Sequence, residues 1–120
     1  MEFYIEDGDR FKSIPIEQFV EWVHTNQGEY ERQRRVGLTE VGSTLISTVF
    51  CFCPPSISSR NMYETAVFVS GKSVYTTSYP TRSEAELEHR KIVQVLKYYA
   101  EGYYSIEDVL DRYPHLEVGD

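Results

Sequence analysis

The chain has 120 residues, 41% of them hydrophobic and 26% charged. That is ordinary globular usage, which excludes wholesale disorder and suits one domain spanning 1–120 with a core that needs no staples. A net charge of −7 lacks the basic footprint that general nucleic-acid binding requires, though it admits a basic partner.

The chain opens Met1-Glu2-Phe3-Tyr4-Ile5, without the basic start and apolar run of a secretory signal. No stretch approaches the roughly 18 apolar residues of a membrane helix. The expected compartment is a reducing cytoplasm, with Cys51 and Cys53 as free thiols. Ten tyrosines supply rings with polar tips, suited to half-buried surfaces and interfaces.

In chain order, residues 2–5 read as a short strand closed by the turn signal Asp7-Gly8-Asp9. Pro15 suits the start of a helix, where a missing N–H is harmless. Ile16, Phe19, Val20 and Val23 then share one helical face until Asn26-Gln27-Gly28 ends the helix. Residues 29–35, Glu-Tyr-Glu-Arg-Gln-Arg-Arg, read as a solvated connector or a helix extension, with an anion site as the sharper alternative.

From Arg35 the composition turns to strand formers. Val41-Gly42-Ser43 divides a strand near 34–41 from a longer one near 43–53, which Pro54-Pro55 stops. After a polar loop over 56–61, residues 62–70 form a third strand of this set. Ser70-Gly71-Lys72 turns tightly into a fourth at 73–79. Such short connections give an antiparallel meander.

Thr81 and Glu84 have capping-box spacing. Ala85, His89, Ile92, Val93, Leu96, Tyr99 and Ala100 follow on one stripe, and Gly102 suits the helix end. Ser105 and Asp108 repeat the cap before a second helix carrying Ile106, Val109 and Leu110. It stops before Pro114, and 117–120 reads as a frayed tail. The fold class is α+β: a β-meander of about four strands, an N-terminal helix and two C-terminal helices.

The middle strands are apolar on both sides. Ile46, Phe50 and Phe52 face one way and Leu45, Val49, Cys51 and Cys53 the other. An antiparallel sheet with one wet face should alternate apolar and polar. The second face is therefore expected to lie under the N-terminal helix or a second subunit, giving a homodimer.

The candidate chemistry is sparse. Cys51-x-Cys53 puts two sulfurs on one strand face, and His24, His89 and His115 are further possible zinc ligands. The spacing is not the usual one, and packing as small hydrophobes is favoured, with no metal and no cofactor. His89 beside the helix stripe and Glu64 mid-strand form the sharpest catalytic candidate, with Ser47 or Thr48 as hydroxyls. The competing reading is a hydrogen-bonded lock between helix and sheet, and it is favoured. Arg60, Asn61, Tyr63, Tyr79 and Arg82, with Tyr75 nearby, form a candidate ligand site, because guanidinium stacks on rings and binds anions. Tyr98-Tyr99 and Tyr103-Tyr104 are either core filling or an interface.

Several motifs occur in fixed order: Glu21-Trp22; Arg35-Val36 with Thr39 and Val41; Ser47-Thr48-Val49-Phe50; Pro54-Pro55; Tyr63-Glu64-Thr65 with Val67-Phe68; and Tyr79, Thr81, Glu84-Ala85 and His89. In these the segment from Arg35 to Val93, about half the chain, resembles a family of small proteins encoded by tailed bacteriophages. Members often carry Gly-x-Asp-His before the proline loop. This chain has Phe52-Cys53-Pro54-Pro55 there, so a site built on that pair does not carry over.

The resemblance implies a phage origin and an α+β fold, and implies no reaction. The leading expectation is an accessory binding protein in the host bacterial cytoplasm, blocking a host protein of antiviral defence or capturing a small signalling ligand. The alternatives are a small-ligand or nucleotide-sequestering protein, with Arg60, Arg82 and tyrosines at a subunit boundary, and a hydrolase-like enzyme using Glu64 and His89.

Overall fold

The computed structural model describes residues 2–53, 61–100 and 105–113. Its elements are β1 (Glu2–Asp7), β2 (Arg10–Pro15), α1 (Ile16–Thr25), α2 (Gln27–Arg34), β3 (Arg35–Val41), β4 (Thr44–Phe50), β5 (Tyr63–Val69), β6 (Lys72–Tyr79), α3 (Arg82–Ala100) and α4 (Ile106–Arg112). The fold is α+β. The strands β3-β4-β5-β6 form the antiparallel meander in sequence order, and β1-β2 form a separate hairpin.

Three tight turns set the registers. Asp7 pairs with Arg10, Val41 with Thr44 and Val69 with Lys72, so each loop has two residues. Gly8 and Gly42 hold φ of 63° and 61° at the first loop position, as a type II′ turn requires. The third loop holds positive φ at both Ser70 (51°) and Gly71 (82°), the type I′ pattern that matches the twist of its strands.

The N-terminal third departs from expectation. The strand at 2–5 runs to Asp7 and has a partner, β2, with no clear signature: Ile14 is its one buried residue. The break at Asn26 is a single residue, and 27–34 is a helix, which is the extension rather than the connector of the two readings of 29–35. β4 also ends at Phe50, before Cys53, although the Cys51 N–H still bonds the Met62 carbonyl. Pro54-Pro55, Gly102 and 117–120 lie outside the described residues.

At both C-terminal helix starts the hydroxyl half of the expected cap forms. Thr81 Oγ1 accepts the Glu84 N–H at 3.1 Å, and Ser105 Oγ accepts the Asp108 N–H at 3.1 Å. Ala85, Ile92 and Leu96 of the stripe are fully buried, and Val95 joins them. Burying each large aliphatic side chain contributes about 1.5–3 kcal/mol.

One sheet face carries the core, in two apolar clusters. Ile46, Val67, Ile92, Val95 and Leu96 pack with Val109 and Leu110 of α4. Phe50, Phe52, Met62, Tyr63, Tyr79 and Ala85 pack with Phe3, Phe19, Trp22 and Tyr30 of the N-terminal elements. The N-terminal helix therefore joins the core side. Its Phe19 ring stacks on Phe3 at 4.5 Å, and no described element covers the opposite sheet face.

Ser70 is the one non-glycine among the described residues with positive φ. Asn tolerates that region better, so Ser70→Asn is expected to raise stability by a few tenths to about 1 kcal/mol. An unchanged or lower midpoint in urea denaturation would contradict the turn assignment.

Candidate functional site

Between the two apolar clusters runs a row of hydroxyls. The sheet registers align Gly37, Thr48, Thr65 and Thr77 across β3, β4, β5 and β6. Thr48 and Thr65 have no exposed surface, and their Oγ1 atoms share a hydrogen bond at 2.5 Å. His89, 7% exposed, descends from α3 onto this row. Its Nδ1 meets Thr48 Oγ1 at 2.7 Å and its Nε2 meets Thr39 Oγ1 at 2.9 Å.

Gly37 makes that approach possible. A Cβ there would lie 2.9 Å from the His89 ring carbons and Nε2, closer than side chains tolerate. The β-bulge after Arg35 brings Gly37 opposite Thr48, directly beneath the imidazole.

A neutral imidazole has one donor and one acceptor, and the threonines supply the complements. Burial alone lowers the His89 pKa from its usual 6.5, because a charged ring here would be desolvated. This chemistry satisfies a buried polar group and pins α3 to the sheet.

The row ends at an orphan. Tyr79 is 8% exposed, and among the described residues its hydroxyl finds no partner of good hydrogen-bond geometry. Burial raises its pKa, while the neighbouring Thr65 and Thr77 hydroxyls oppose the rise. Tyr75 is likewise raised by burial, with Thr77 opposing and Glu88 adding to it. Beyond them the Tyr113 hydroxyl donates to Glu88, tying α4 to α3.

The expected acid–base pair does not assemble. Strand alternation puts Thr65 toward His89 and Glu64 toward the opposite face, where Glu64 sits across from Val49 and Ser78. Ser47 is on that opposite face as well, paired between Leu38 and Ala66. Of the two hydroxyls considered with His89, Thr48 is the one that meets it.

The expected ligand residues are divided. Tyr63 and Arg82 do converge, but on Glu6 of β1. The Tyr63 hydroxyl donates to Glu6 Oε2 at 2.5 Å, and Arg82 Nη1 donates to Oε1 at 3.0 Å and Oε2 at 3.2 Å. Burial, then the Glu6 bond, pushes the Tyr63 pKa well up. Arg82 also donates to the carbonyls of Arg32, Gln33 and Arg35 at the end of α2, and through Nε to Glu86. A cation at a helix C-terminus satisfies orphan carbonyls and opposes the dipole. Asn61 donates to Ser78 Oγ at 3.1 Å on the other face. Arg60 lies outside the described residues.

Sequence reading missed two members of this clamp, Glu6 and Gln33. Gln33 is 2% exposed, and its side-chain amide imitates a strand partner: Oε1 accepts the Glu6 N–H at 2.8 Å and Nε2 donates to the Glu6 carbonyl at 3.2 Å. Nε2 also donates to Glu29. Arg32's guanidinium and then Gln33's amide hold the Glu29 carboxyl down at about 2. The surrounding Arg-Gln-Arg-Arg masks a buried position, and no periodicity marks it.

Cys51 lies half-buried with its pKa pushed up to about 11, first by burial and then by Glu64 and Cys53. Its thiol stays protonated near neutrality. No cluster of three potential ligands occurs among the described residues. Tyr98 and Tyr99 pack edge to face at 4.9 Å; Tyr103, Tyr104 and His115 lie outside the described residues.

The chain matches no family model, and no curated protein or solved structure shows significant similarity to it.

His89 gives stability a pH dependence of definite sign. Below about pH 6.5 the unfolded chain takes up a proton that the folded chain refuses, so stability falls as pH drops toward the lowered native pKa. Urea denaturation at pH 7.5, 6.0 and 5.0 should show this slope, and His89→Gln should flatten it. An unaltered slope in the variant would exclude His89 as its source. At the end of the row, Tyr79→Phe removes an unpaired hydroxyl and is expected to leave stability unchanged or raise it by up to about 1 kcal/mol. A loss of more than that would mean the hydroxyl is satisfied in solution.

Proposed function

We propose that this chain is a phage-encoded accessory protein that acts by binding, as a homodimer in the bacterial cytoplasm, with a host protein of antiviral defence as its target. The reading is carried by α1. This helix turns Phe19 and Trp22 inward against Phe52, yet leaves Ile16 45% and Val20 61% exposed. Ile16 and Val20 are one turn apart, beside Glu17 and Glu21. An apolar ridge with an acidic border fits a partner groove with a basic rim.

The placement of the polar candidates favours binding over catalysis. His89 is engaged by two threonines, Glu64 is on the other side of the sheet, and Tyr63 and Arg82 clamp the fold. Among the described residues no helix is long and apolar enough to cross a membrane. Phage origin and the defence target rest on the resemblance carried by Arg35 to Val93.

The test is site-specific photo-crosslinking in infected cells. A crosslinker replacing Val20 should capture one host protein, and Ile16→Glu should abolish capture without unfolding the chain. If position 20 captures nothing while nucleotides or other small ligands raise the melting temperature, the sequestering alternative replaces this reading. If His89→Gln abolishes the phage phenotype with fold and capture intact, catalysis returns.

A further inference from the structure

The sheet face opposite the core is built differently from a simply wet one. Its cross-strand rows are Glu40–Leu45–Phe68–Ser73, Leu38–Ser47–Ala66–Thr76 and Arg35–Val49–Glu64–Ser78. Leu38 is 47% exposed, while Leu45, Val49, Ala66 and Phe68 are half-buried. Small hydroxyls fill most remaining positions. A solvated antiparallel face normally carries polar and charged residues at such sites.

The charged residues of the face are Arg35, Glu40 and Glu64, a share close to the 26% of the whole chain. The one cation and one of the anions sit at opposite ends of the same strand, β3, on the same face. A twofold axis lying between two such faces and crossing the strands reverses β3 end for end. It sets Arg35 of one copy over Glu40 of the other, twice, and lays the Leu38 rows against each other. The same operation stacks Leu45 against Val49 and lays Phe68 over Glu64 of the other copy. This is sheet-on-sheet packing with complementary charge on β3 at its edge.

We infer that this face is where two copies of the chain meet, face to face, with Arg35 paired to Glu40 of the partner subunit and Leu38 at the centre. The inference rests on the homodimer proposed above and names its surface, leaving the α1 ridge open to the host partner. Four strands, three of seven residues and one of eight, present a plan of about 19 Å by 23–26 Å. That falls short of the ~800 Å² per partner of a standard interface, so the dimer is weak, dissociating in the micromolar range.

Sedimentation velocity on the full chain, from low micromolar to near-millimolar, reads this directly. The expected result is a reversible monomer–dimer equilibrium. Arg35→Glu and Glu40→Arg should each weaken it about tenfold or more, and the double variant should restore it. Leu38→Asp should leave only monomer. The exposed positions of Arg35, Glu40 and Leu38 leave the core untouched, and restoration in the double variant serves as its own folding control. A monomer at every concentration would overturn both dimer and surface. A dimer indifferent to charge reversal and to Leu38→Asp would overturn the surface alone. Host-protein capture at Val20 is measured separately and stands or falls by itself.

Discussion

The close approach of the His89 imidazole to the backbone at Gly37 fixes where the long helix lies on the sheet. An apolar helix stripe on an apolar sheet face can slide or rotate at modest cost, because hydrophobic burial is not directional. Two hydrogen bonds from one ring to Thr39 and Thr48, on adjacent strands, remove that freedom. A misplaced helix would leave a buried imidazole and two hydroxyls unpaired, each a penalty of about 1–3 kcal/mol. The polar row thus contributes uniqueness of packing more than net stability.

The second fixed point is Glu6. Its carboxylate gathers Tyr63 from β5 and Arg82 from the first turn of α3, while its backbone is held by Gln33 of α2. Three elements distant in sequence thereby close on one residue of the N-terminal hairpin. The hairpin would be marginal alone, as two-stranded ribbons are. It becomes part of the fold through this clamp and through the stack of Phe3, Phe19 and Phe52 rings.

Both networks consume the residues that looked most chemical. A histidine and an arginine near tyrosines are typical of sites, yet here each turns inward and is satisfied by neighbours within the chain. Apolar side chains also remain outward, Ile16 and Val20 on α1 and Leu38 on the sheet face opposite the core.

Local chemistry determined a great deal by itself. Gly42, Gly71 and the Thr81 and Ser105 caps are short-range signals, and period-2 and period-3.6 patterns set the strands and helices from Arg35 onward, because backbone conformation there follows from neighbours a few residues away. The apolar character of both sheet faces was also legible. Tertiary structure alone decided which side of the sheet each polar group met. Glu64 and Thr65 are adjacent in sequence, and a one-residue difference in a strand is a difference of faces. It also decided that Glu6, Gln33 and Arg82 would meet across separations of 27 and 76 residues. No local pattern encodes such contacts, because their energy exists only after the chain has folded.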